Sequence, residues 1–132
     1  MMIAKVKICG ITNLEDARAA ADLGAEILGF NFYPESPRYV SPEKATDIIR
    51  KLPGFVDIAG IFVNAGFDEI KHCIESCQIN WVQLHGDESP EFCKQVADFN
   101  VKTMKAIRVK DEYDIEAAKD YFTYAILLDA FS

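Results

Sequence analysis

The sequence predicts an α/β fold built on a parallel sheet. Two observations predict it. Short β-branched or aromatic runs recur, with starts roughly 20 to 30 residues apart. They are AKVKIC at 4–9, EILGFNFY at 26–33, VDIAGIFV at 56–63, NWVQLH at 80–85, VKTMKAIRV at 101–109 and YAILLD at 124–129. Between them lie stretches of helical period, most of them opened by a capping signal. Strict alternation of strand and helix requires crossover connections, and right-handed crossovers lay successive strands parallel. The reading gives six strands and five helices in a single domain, residues 1–132.

Each element has its own local reason. After the first strand, Thr12 with Glu15 fits a capping box. Leu14, Ala17, Ala20 and Ala21 then share a face while Glu15, Asp16 and Arg18 look to water. Gly24 suits the left-handed position that ends this helix, and Asn100 does the same after the fourth. The second and fourth helices both open on Ser-Pro-Glu, at Ser41-Pro42-Glu43 and Ser89-Pro90-Glu91. Each triplet offers a capping hydroxyl, a proline at the first helical position and an acid facing the positive helix end. Asp111 and Asp114 can serve the last helix in the same way.

Composition excludes several classes of function. The chain has 132 residues, 50% of them hydrophobic, enough for one domain with a real core. A formal charge of −7 argues against a nucleic-acid partner. No apolar run approaches the length of a bilayer span, and MMIAKVKICG is too short and too charged for a signal peptide. Cys9, Cys73, Cys77 and Cys93 sit among abundant core formers, which favours reduced thiols in a cytoplasm over a disulfide scaffold.

The carboxyl ends of the runs bear on which parallel architecture this is. They deliver Cys9, Asn31, Asn64, Gln83 with His85, Arg108 and Asp129, so every strand passes from apolar to polar at the same end. In a parallel sheet those ends lie on one face. A ring of groups drawn from many strands is how (β/α)₈ barrels build sites. A doubly wound binder concentrates its chemistry in one glycine-rich crossover. CGITNLEDA carries a single glycine, so it holds neither a dinucleotide fingerprint nor a P-loop.

In order, KICGIT, GFNFYPESPRYVSPEKA, GIFVN, VQLHGDESPEFC, KAIRV and LLDA resemble successive signatures of the phosphoribosylanthranilate isomerases of tryptophan biosynthesis, from about residue 5 onward. The resemblance implies a (β/α)₈ TIM barrel, here an incomplete one of about six parallel strands. It implies an Amadori rearrangement of N-(5-phosphoribosyl)anthranilate to 1-(2-carboxyphenylamino)-1-deoxyribulose 5-phosphate, with no cofactor. A whole barrel needs at least about 200 residues, so the chain reads as the front part of such an enzyme. The family's phosphate site follows strands seven and eight, and low turnover by this chain alone is expected.

Such a rearrangement needs an acid to protonate the ribose ring oxygen and a base to take the proton from carbon 2. The resemblance makes Cys9 the base, helped by the field of the following helix, against the ordinary fate of a strand-end cysteine as a small core residue. It makes Asp129 the acid, kept protonated by AILL and Phe131, against the commoner role of a loop cap. Arg38 would clamp the anthranilate carboxylate, and Gln83 and His85, two apart on one side of their strand, would bind substrate oxygens. Asn64 and Arg108 face the same way with a weaker claim. His72, Cys73 and Cys77 lack a second pair of ligands at zinc spacing, so no metal is expected. The competing reading is a non-catalytic barrel fragment that self-associates or complements a missing half. Under either reading, unpaired edges at AKVKIC and YAILLD and an open inner sheet face predict a homo-oligomer.

Overall fold

The computed structural model describes residues 6–130, and for Asp129 and Ala130 the backbone only. Residues 4 and 5 of the expected first strand, and Phe131, lie outside the described residues. The elements run β1 (Lys7–Ile8), α1 (Leu14–Asp22), β2 (Ile27–Asn31), α2 (Pro42–Ile49), β3 (Asp57–Phe62), α3 (Phe67–Cys77), β4 (Trp81–Leu84), α4 (Pro90–Ala97), β5 (Lys102–Val109), α5 (Glu112–Ala118) and β6 (Ala125–Ala130). All pairs are parallel and the sheet order is β1-β2-β3-β4-β5-β6. Each strand lies beside the next in sequence. A doubly wound sheet reverses direction at a switch point; this order never reverses, as in a barrel wall.

The register sorts side chains into two layers. Leu28, Phe30, Ile58, Phe62, Val82 and Leu84 face outward and meet the helices in one continuous core. Burying each such side chain stabilises the fold by roughly 1.5–3 kcal/mol. The helices answer with their small or apolar faces: Ala17 and Ala21 of α1, Ala45 and Ile48 of α2, Ile70, Cys73 and Cys77 of α3, Cys93 and Val96 of α4. The helix α5 buries no residue fully.

Ile27, Ala59 and Trp81 alternate with that set and form a second, inner cluster, with Met104 against it. Lys7 of β1 donates a hydrogen bond to Gln83 Oε1 of β4 within the same layer. Two strands separate β1 from β4, so in a flat sheet their backbones would stand about 14 Å apart. The contact therefore requires the sheet to curl. Curling corrects one expectation. The inner face is not laid open: Ile27, Ala59, Trp81 and Gln83 are each 6% exposed or less. Exposure concentrates on the outermost strands, where Ile126, Leu127 and Leu128 of β6 and Ile8 of β1 are 37–54% exposed.

The capping signals performed as their chemistry requires, with one correction. Ser41 Oγ accepts from Lys44 N–H and Ser89 Oγ from Phe92 N–H. Asp111 accepts from the amides of Tyr113 and Asp114, while Asp114 accepts from Lys110 N–H. Gly24 and Asn100 hold φ of 98° and 66°. The first helix, however, is capped by Asn13 and not Thr12, through Asn13 Oδ1 and Asp16 N–H at 2.8 Å. The cause is the preceding turn. Ile11 donates its amide to Gly29 O and buries its side chain, so helical winding starts one residue later.

Candidate active site

The carboxyl ends of the strands carry the polar groups, and the opposite ends carry packing. At the amino end of the inner layer, Trp81 donates to Asp57 Oδ2 at 3.3 Å, packs edge-on against Tyr124 and lies under the Lys102 ammonium. The buried Trp81 fills this end of the inner layer. In a barrel, groups at that end serve stability and those at the carboxyl end serve chemistry.

Cys9 follows β1 directly and is exposed, whereas Cys73, Cys77 and Cys93 are buried. Burial pushes the Cys73 thiol up to about 12 and the Cys93 thiol to about 11, and raises Cys77 too. These three are inert packing groups, and Cys9 is the thiol that solvent and ligands can reach. The register that pairs Ile8 with Leu28 carries Cys9 over Gly29. A Cβ at Gly29 would stand 3.1 Å from Cys9 Sγ, so glycine there leaves the thiol its space.

Arg38 lies beside that thiol's turn. The chain leaves Cys9 through Gly10 at φ 80°, where a side chain would be strained. A Cβ on Gly10 would fall 2.5 Å from Arg38 Cδ and 2.9 Å from Nη1, so the arginine stem and guanidinium occupy that space. The segment after β2 folds back to place it: Val40 donates to Asn31 O, Tyr33 to Asn31 Oδ1 and Arg38 to Ser36 Oγ. A cation thus rests against the backbone next to Cys9.

A cavity of about 600 Å³ opens between the tips of β3, β4 and β5 and the start of α5. His85, Asn64, Arg108, Tyr33 and Asp87 contribute to its wall. Gln83 Nε2 and His85 Nδ1 stand 3.1 Å apart, so those two residues meet as their spacing predicts. A hydrogen bond to the Glu35 carboxylate, more than burial, raises the Tyr33 phenol, and Arg108 partly offsets this. Asn64 has a structural task. Its Oδ1 accepts from Asp87 N–H at 2.7 Å and its own amide donates to Glu88 Oε2, which ties the loop after β3 to the loop after β4. Arg108 is exposed at the rim, in register with Asp129. The Asp129 side chain lies outside the described residues.

The description N-(5'-phosphoribosyl)anthranilate isomerase belongs to a family model that matches residues 6–132. The chain belongs to the phosphoribosylanthranilate isomerase family. The N-(5'-phosphoribosyl)anthranilate isomerase of Citrifermentans bemidjiense is 49% identical over 130 residues, covering 98% of this chain and 62% of that one. The phosphoribosyl anthranilate isomerase of Thermotoga maritima superposes with a TM-score of 0.93 at 45% identity, over 98% of this chain and 63% of that one. Another solved phosphoribosyl anthranilate isomerase, in complex with reduced 1-(o-carboxyphenylamino)-1-deoxyribulose 5-phosphate, has a TM-score of 0.92 at 46% identity, over 98% of this chain and 66% of that one. The chain spans about three-fifths of the length of the curated relatives it matches.

Within this family framework the structure adds groups that sequence reasoning missed. Lys105 and Glu88 form a buried ion pair at 2.9 Å, each side chain 2% exposed. Lys105 also donates to Gly86 O, while Glu88 accepts from the amides of Gly86 and Asn64. Tyr121 OH donates to Glu88 O. One pair therefore braces the loops after β3 and β4 from beneath. The available signal was a lysine inside the apolar run TMKAI, since an unpaired charge there would be prohibitively costly. Lys7, read only as part of a strand, reaches Gln83 because the sheet curls, which sequence spacing does not reveal. No helix among the described residues is long and apolar enough to cross a membrane.

Proposed function

We propose that the protein carrying this sequence isomerises N-(5-phosphoribosyl)anthranilate to 1-(2-carboxyphenylamino)-1-deoxyribulose 5-phosphate, in tryptophan biosynthesis, in the cytoplasm and without a cofactor. The observation that carries the reading is the pairing at the β1 tip: a single exposed thiol, Cys9, with the Arg38 guanidinium against the next residue. Asp129 protonates the ring oxygen, the furanose opens, and carbon 1 becomes an iminium. Cys9 removes the proton from carbon 2, giving an enol that tautomerises to the ketone with a new C–H bond at carbon 1. Arg38 holds the anthranilate carboxylate, a planar anion suited to a guanidinium. His85 addresses an oxygen of the sugar. Gln83, expected to bind substrate as well, is buried behind it and meets the imidazole instead. A relative 46% identical binds the reduced form of the product named here.

The mechanism has an isotopic signature. Product formed in D₂O should carry deuterium at carbon 1, read by proton NMR. Unlabelled product from an otherwise competent reaction would mean direct transfer of the carbon 2 hydrogen and would exclude Cys9 as an exchanging base.

A second reading keeps the fold without turnover: a module that associates through its outer strand. Its support is the exposure of Ile126, Leu127 and Leu128 on β6. Homo-oligomerisation through that strand is compatible with either reading and belongs to both proposals.

A further inference from the structure

We propose that Lys7 and Gln83 are positioning residues that hold His85 as the neutral Nε2–H tautomer, which makes it a hydrogen-bond donor in the wall of the cavity. Donor and acceptor capacity fixes the tautomer. An ammonium has three donors and no acceptor. The Lys7 ammonium meets Gln83 Oε1, so the amide oxygen is fixed toward β1. The amide nitrogen must then be the end that faces His85 Nδ1, at 3.1 Å. An amide nitrogen only donates. Nδ1 must therefore accept, and the imidazole proton resides on Nε2. The opposite tautomer, and the imidazolium, would both set an N–H against an N–H.

Burial holds the relay in place. Gln83 is 3% exposed and packed among the inner-layer side chains, so turning its amide would put the NH₂ group against the lysine charge. Lys7 can take part only because the sheet curls and brings β1 over β4. The relay thus converts a global feature, the curvature of the wall, into a local one, the proton position on a histidine. Other charged side chains on the cavity wall are Asp87, Lys105, Arg108, Lys110 and Asp114. A neutral imidazole N–H donates to an uncharged or anionic oxygen. The inference rests on the isomerase reading only for the identity of that oxygen.

Two-bond ¹H–¹⁵N correlation spectra of the histidine-labelled chain, at pH 7.5 without ligand, test it directly. His85 is assigned by the loss of the other signal in His72→Gln. The expected wild-type pattern is the neutral Nε2–H tautomer. Gln83→Glu replaces the donor with a carboxylate acceptor at the same reach, and should move His85 to the Nδ1–H tautomer or the imidazolium. Lys7→Met should release the amide and give a mixture of tautomers. An Nδ1–H tautomer or an imidazolium in the wild type would overturn the proposal. So would a pattern unchanged by Lys7→Met or by Gln83→Glu. The wild-type spectrum stands even if a variant fails to fold. Because no substrate is present, failure of the isomerase reading leaves the result intact, and failure of the relay leaves that reading intact.

Discussion

At the scale of single residues, the cysteines show how position decides chemistry. Four thiols share one chain, and only Cys9 stands outside the packing between sheet and helices. With Cys73 at about 12 and Cys93 at about 11, those two remain protonated in the folded protein through pH 9. Iodoacetamide at pH 8 should therefore modify Cys9 alone in the native chain and all four cysteines in urea, as read by intact mass. Rapid native labelling at Cys73 or Cys93 would contradict the packing described. While the roles expected of them came from the family resemblance, Cys9, Gln83 and His85 were legible as polar residues at strand ends and Arg38 as an arginine in the SPRYV loop. Lys7 was not, because its partner is 76 positions away and the contact depends on curvature. Asn64 was legible as a strand-tip residue, but its role as a tie between loops depends on Glu88 and Asp87 from the next unit.

At the scale of elements, local chemistry carried most of the information. The Ser-Pro-Glu triplets start α2 and α4 because hydroxyl, proline and acid all act within one turn. The Thr12 expectation failed by one residue, since the docking of Ile11 on β2 is a tertiary event invisible to a local pattern. The buried Lys105–Glu88 pair was missed for the same reason. Each partner alone looks like an error in an apolar or loop segment, and they cancel only once β5 lies beside the loop after β4. Lys105→Met should destabilise the chain by about 3–5 kcal/mol, because it leaves the Glu88 carboxylate buried without its cation. Adding Glu88→Gln should recover part of that loss. Urea unfolding of the single and double variants measures both effects. A cost below about 1 kcal/mol for Lys105→Met would mean that the amides of Gly86 and Asn64 satisfy Glu88 by themselves.

At the scale of the whole molecule, the sequential strand order separates a barrel wall from a doubly wound sheet, and curvature gathers the polar ends onto one rim. Strand number, direction and polar ends were legible in the sequence because they follow from periodicity. The extent of closure was not, because it depends on side chains such as Lys7 and Trp81 filling the concave side. What stays exposed is β6, with Leu127 at 38% and Leu128 at 54%. Apolar strands at a sheet boundary invite pairing. Sedimentation of the chain at micromolar concentration should show a dimer or larger species, and Leu128→Lys should shift it toward monomer. A monomer throughout would mean that β6 is covered by something other than a second copy.

The proposed isomerisation depends on Cys9 and Asp129 acting as an acid–base couple. Single-turnover kinetics with N-(5-phosphoribosyl)anthranilate, on the protein that contains this sequence, tests it most directly. Cys9→Ala and Asp129→Ala should each slow the chemical step by about 10²- to 10⁴-fold with substrate binding largely kept. A near-wild-type rate in either variant would remove that residue from the mechanism and contradict the account.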